Sequence, residues 1–105
     1  MGKPWNHSPS SNTAAVITIP AVPDIAHELE QVDFSYSGIP DAGSYIQVES
    51  PSGTVLKKLY VTAAGAGPLP LGNSGMKCAV GGAVIITLAA GGSGISGSVN
   101  AIQRT

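Results

Sequence analysis

The run "VIITLAAGGSGISGSVN", residues 84–100, contains a literal G-x-G-x-x-G at Gly92, Gly94 and Gly97, directly after an apolar stretch. That pattern binds dinucleotides when its glycines open a helix whose N-terminal amides hold a pyrophosphate, with an acidic residue about 20 positions further on. Here eight residues follow Gly97, and no Asp or Glu follows Glu49. The motif's requirements are unmet, so these glycines are expected to form a turn between "AVIITLA" and "SGSVNAI". The other candidates are sparse. His7 and His27 have no Cys, Asp or Glu at a spacing that closes a metal site, which makes them surface or packing histidines. Glu28 and Glu30 share a face if their segment is a strand, as a glycosidase pair would, but a solvated strand edge explains them more simply. No G-x-S-x-G elbow is present. Cys78 is alone, so it forms no internal disulfide and reads as one buried small hydrophobe. The expectation is no enzyme, no cofactor and no metal.

Composition constrains the partners. Charged residues make up 10% of the chain, against roughly 25% in ordinary soluble domains, so part of the surface is expected to be covered by protein. A net charge of -1 lacks the basic footprint of a nucleic-acid binder, and Lys57 with Lys58 is too small a patch to supply one. Acidic residues lie in the first half, Asp24 to Glu49, while Lys57, Lys58, Lys77 and Arg104 lie in the second. They pair across strands within one subunit or form complementary faces on neighbouring subunits. The longest apolar tract, "AVGGAVIITLAAGG", is too short and glycine-rich to span a bilayer. The opening "MGKPWNHSPSSN" has neither a secretory pattern nor, with Asn6 in place of Ser or Thr, a myristoylation pattern. A soluble product made in a cytoplasm, with no membrane partner, is expected.

The elements that position these residues are strands. Val and Ile number 18 against 6 Leu, a bias toward residues that suit a pleated sheet. The 105-residue chain reads as one all-β domain, a β-sandwich or jelly roll of about seven or eight short antiparallel strands. "TAAVITI" is the first, and "VDFSYS" places Val32, Phe34 and Tyr36 on one face. The segment before it is open to two readings. "DIAHELEQV" carries Ile25, Leu29 and Val32 at helical spacing with Asp24 as an N-cap, and it also fits a strand reaching back toward His27, which is preferred. "SYIQVES" and "TVLKKLYVT" form a hairpin around "SPSG". If Ser50 faces Thr54, Gln47 lies opposite Lys57, with Glu49 in salt-bridge reach. "AAGAGPLPLGNSG" is an edge or a loop, and "MKCAV", "AVIITLA" and "SGSVNAI" supply the rest.

The segments "AAVITIPAV", "VDFSYSGIPDAGSYIQVES", "LYVTAAGAGPLPL" and "ITLAAGGSGISGSVNA" together resemble the small virion structural proteins of tailed bacteriophages, of the capsid decoration and head-fibre type. The resemblance implies a non-enzymatic β-sandwich, often trimeric, that is made in the host cytoplasm and sits on the capsid lattice of the virion. Its partners would be the major capsid protein or other virion proteins and further copies of itself. Small tail, baseplate and adaptor proteins share the style, and a carbohydrate-binding or adhesin sandwich is the alternative of another class. The resemblance carries no functional residues. Residues 1–12 are polar and proline-containing, and are expected to form an extended arm outside a domain spanning 13–105. Contacts with a neighbouring subunit or virion protein would hold it, with Trp5 as anchor and Pro4 and His7 beside it. The alternative is an arm folded back on its own domain.

Overall fold

Alternating apolar residues make each strand a ribbon with one dry face, and two sheets of such ribbons bury together what neither buries alone. The computed structural model describes residues 2–71 and 75–104. Its strands are β1 (Lys3–His7), β2 (Ala15–Ile19), β3 (Ala26–Tyr36), β4 (Tyr45–Glu49), β5 (Val55–Tyr60), β6 (Gly65–Pro68), β7 (Met76–Val80), β8 (Val84–Leu88) and β9 (Gly97–Gln103). One sheet runs β1-β9-β3-β6, with β7 also on β3, and the other runs β2-β8-β4-β5. Every pairing is antiparallel. The pairs nest as β1 with β9, β2 with β8, β3 with β6 and β7, and β4 with β5, which is the topology of a jelly roll.

The all-β class is therefore as expected, with two refinements in the strand list. Asp33–Tyr36 of β3 pairs with β6 while Ala26–Leu29 pairs with β7, so two short strands share one long partner. The Gly/Pro-rich stretch forms an edge strand, as its composition implied, and its positions 72–74 lie outside the described residues. The other refinement concerns residues 1–12. They were expected to stand as an extended arm outside the domain; Lys3–His7 is extended, but as the edge strand of the chain's own sheet, in register from Lys3 opposite Gln103 to His7 opposite Val99, and the chain bends and turns at Ser10–Asn12. An edge position tolerates Pro4, because only one side of the strand needs ladder donors.

Ile17, Ile19, Leu29, Val32, Ile46, Val48, Val84, Ile86, Leu88 and Val99 form the sealed centre between the sheets, each worth roughly 1.5–3 kcal/mol when fully buried. Residues 26–36 are strand, not helix, and the helical-looking spacing has a local cause. The register slips by one between Leu29 and Gln31, with Glu30 as the extra, exposed residue. This bulge changes the phase of the alternation, so His27 and Leu29 face inward before it, and Val32, Phe34 and Tyr36 after it.

The glycines of the G-x-G-x-x-G run do connect β8 to β9, but they carry the chain from one sheet to the other instead of closing a hairpin. Gly92 and Gly94 have φ of 114° and 77°, which only glycine adopts readily. A side chain at Gly92 would also strike the carboxylate of Asp41. Gly97 leaves room for Leu88 and the Tyr36 ring. These glycines lead into a strand, β9, and open no helix.

Candidate interaction surface

The side chains with most chemical scope, an indole, an imidazole and an amide, are linked to one another by hydrogen bonds. The Trp5 indole Nε1 donates to Gln103 Oε1 at 2.9 Å, Gln103 Nε2 donates to His27 Nδ1 at 3.0 Å, and His27 Nε2 donates to the Pro20 carbonyl at 2.8 Å. The directions agree from end to end, which fixes both the Gln103 amide orientation and the His27 tautomer. His27 is a buried packing histidine. The chain of bonds joins β1, β9, β3 and the segment leaving β2, and it was not legible in the sequence because its members lie up to 98 positions apart.

The three residues expected at an interface part company. Trp5 is half-buried and packs against the core, with the Lys3 ammonium 4.8 Å from its ring centre. His7 accepts a hydrogen bond at Nδ1 from the Val16 amide at 2.9 Å and so links β1 to β2, the edge strands of opposite sheets. Pro4 faces outward, beside a shallow pocket of about 210 Å³ that Asn6, Gln31, Asp33, Asn100 and Ile102 also line. Contacts within the chain thus tie down Lys3–His7.

The opposite flank has the reverse character. All six residues of β5 are exposed, among them Val55 at 49%, Leu56 at 40%, Leu59 at 38% and Tyr60 at 62%. Leu59 and Lys57 pair with the buried Ile46 and Val48, so they sit on the inward side of their sheet. They remain exposed on that side, and the other sheet ends in β6, whose Gly65-Ala66-Gly67-Pro68 carries only short side chains. A pocket of about 210 Å³ opens there, lined by Phe34, Tyr60, Val61 and small residues up to Gly67.

The β4–β5 hairpin forms as expected, with the Ser50 amide donating to the Thr54 carbonyl at 2.9 Å, but its register differs by one. A bulge after Val48 puts Gln47 opposite Lys58 and Val48 opposite Lys57. The expected ion pair with Glu49 is absent, since that carboxylate accepts from Gln47 Nε2 at 3.0 Å and from the Gly53 amide at 2.8 Å. Lys58 instead lies 4.4 Å from the Tyr45 ring centre and 5.1 Å from that of Tyr60. Among the described residues the ion pair of the chain is Arg104 with Glu28, at 3.5 Å.

Two buried groups titrate abnormally. Burial pushes the Cys78 thiol up, against a hydrogen bond with the Ser50 side chain. Burial likewise raises the Tyr36 hydroxyl, against a hydrogen bond with Ser44 and with a further push from Tyr45. Both shifts favour the neutral form, the opposite of what an activated nucleophile needs. No cluster of His, Cys, Asp and Glu suited to a metal occurs among the described residues, nor a helix long and apolar enough to cross a membrane.

Fold and surface together define a single jelly-roll domain with one sealed flank and one open, apolar flank. Compared with known protein families, with curated proteins and with solved structures, the chain matches none.

Proposed function

We propose that this chain is a virion structural protein of a tailed phage, a decoration or head-fibre subunit that works by packing against a capsid lattice and against copies of itself, a trimer being the favoured form. The observation that carries the reading is β5, a strand with Val55, Leu56, Leu59 and Tyr60 exposed in a chain with few charges. A soluble domain that leaves such an edge bare invites association, and a jelly roll is an architecture that capsid proteins use. Fold alone does not assign function, so the resemblance of the sequence supplies the particle and the exposed edge supplies the means of attachment. Tail, baseplate or adaptor placement would use the same surface.

Light scattering and co-sedimentation with empty tailed-phage capsids test this. The expected result is an oligomer, or a monomer that coats the capsids in a fixed ratio. A monomer at the highest soluble concentration that leaves the capsids bare overturns the reading.

One observation favours a second reading, a carbohydrate-binding module: Tyr45 and Tyr60 lie directly opposite each other on neighbouring strands, and paired aromatic rings can stack on sugars. Trp5 cannot join them, since it is turned toward the core. A glycan array that lights up with the intact protein and goes dark with Tyr60→Ala would favour this reading.

A further inference from the structure

We propose that the free edge of β5 is a strand-addition site, and that its occupant is an extended segment of a partner protein bearing adjacent carboxylates flanked by apolar residues. The inference rests on the reading of the chain as an assembly protein and names the contact.

The backbone presents the site. The Val61 amide donates to the Ser44 carbonyl at 2.9 Å, and on the far side of β4 the Ala89 amide donates to the Tyr45 carbonyl at 2.8 Å. Antiparallel hydrogen bonds alternate by residue, so Leu59 turns its main-chain groups toward Ile46, while Lys58 and Tyr60 turn theirs to the outside. β5 ends its sheet, with no described strand beyond it. An incoming strand finds donors and acceptors at Lys58 and Tyr60, apolar side chains on both sides of them, and next to Tyr60 the pocket floored by Phe34.

Charge identifies the occupant. Lys57 and Lys58 occupy the middle of "VLKKLY", and neither forms an ion pair with any described residue. Two copies pairing edge to edge through the middle of β5, about a two-fold axis normal to the sheet and centred on either lysine, would set Lys57 against Lys57 or Lys58 against Lys58, because residues directly opposite share a face. The lysines therefore oppose self-pairing in the registers that overlap β5 most fully, a familiar protection of edge strands. They favour a strand with carboxylates at the same place, one for each face, and the main-chain bonds then follow the general mode of strand addition.

The test uses the whole chain and a capped, labelled peptide with two adjacent glutamates flanked by valine and threonine. Binding is expected by fluorescence anisotropy, with amide shifts in NMR spectra concentrated at Lys58 and Tyr60. The double variant K57E/K58E should bind at least about tenfold more weakly, and should regain binding to the same peptide carrying lysines in place of its glutamates. Tyr60→Pro should lose more than Tyr60→Ala, since proline removes the outward N–H at a position where the fold does not need it. Binding that ignores the charge reversal, or amide shifts away from β5, overturns the proposal. So does concentration-dependent protection of the β5 amides in the protein alone, which would make a second copy the occupant. If the protein coats capsids or oligomerises yet ignores the peptide, this inference fails and the assembly reading stands; if it does neither, both fail.

Discussion

Along the β1/β2 flank the two sheets are stitched by side chains, with His7 reaching across to Val16, and with Trp5 anchored through Gln103 to His27, which bonds the Pro20 carbonyl after β2. Along the β5/β6 flank the sheets are joined near one end, where Ser50 Oγ accepts from the Ala79 amide at 3.1 Å, and beyond that point β5 lies open. Both flanks end in edge strands, and both contain exposed backbone. What separates them is side-chain reach: indole, imidazole and amide groups on one flank, glycine and alanine on the other. A sandwich closed on one side is enough to fold, which leaves the other side available for contact.

Substitutions on the sealed flank should therefore cost stability, and those on the open flank should cost association. Among single substitutions the largest effect is expected from Trp5→Ala, about 3 kcal/mol in a urea titration, from the loss of an aromatic packed on the core together with its bond to Gln103. Deleting residues 2–12 should cost at least as much, because it bares the β9 edge as well. A stability unchanged by either would mean that β1 is not part of the folded unit. Next comes Gln103→Leu, which strands the Trp5 donor and the His27 acceptor and should cost about 2 kcal/mol; a double-mutant cycle with Trp5→Phe should show coupling between the two sites. His7→Ala removes one exposed bond and should cost about 1 kcal/mol or less. On the open flank Leu59→Thr should change stability by no more than about 0.5 kcal/mol while reducing self-association or capsid binding. If it unfolds the protein instead, the contrast between the flanks collapses.

The smallest effect concerns pH. Cys78 and Tyr36 hold their protons more tightly when folded than when unfolded. Their contribution is complete below the unfolded pKa values and is lost as pH rises through them toward the folded ones. The melting temperature should fall in the alkaline range, and Cys78→Ala should soften the fall. Thiol reagents should label Cys78 slowly at neutral pH until the protein unfolds.

Legibility followed the range of the interactions. The strand β4 and the core face of β3 could be read from alternation, because each carries its own two-residue pattern, and β2 and β8 from short apolar runs rich in β-branched residues. "DIAHELEQV" looked partly helical because a bulge at Glu30 moves Leu29 and Val32 onto one face at a spacing of three. The β4–β5 register missed by one for the same kind of reason, a bulge beside Val48. "KPWNH" has no alternation at all, and what makes it a strand is β9 and Gln103, nearly the whole chain away. The openness of β5 is not legible in "VLKKLY" itself, because a linear reading does not reveal which strands end each sheet.

The register of β1 against β9 also determines how this domain can be joined to anything else. Lys3 lies directly opposite Gln103, so the two ends of the described chain meet within about 5 Å of backbone. Polypeptide added before β1 and polypeptide added after β9 would leave from one pole, as two tethers from a single mooring. A cargo fused to either end would hang from the same place, and a few glycines bridging the ends would permit the chain to be reopened at an exposed turn such as that at Gly53, giving a circular permutant with the same sheets.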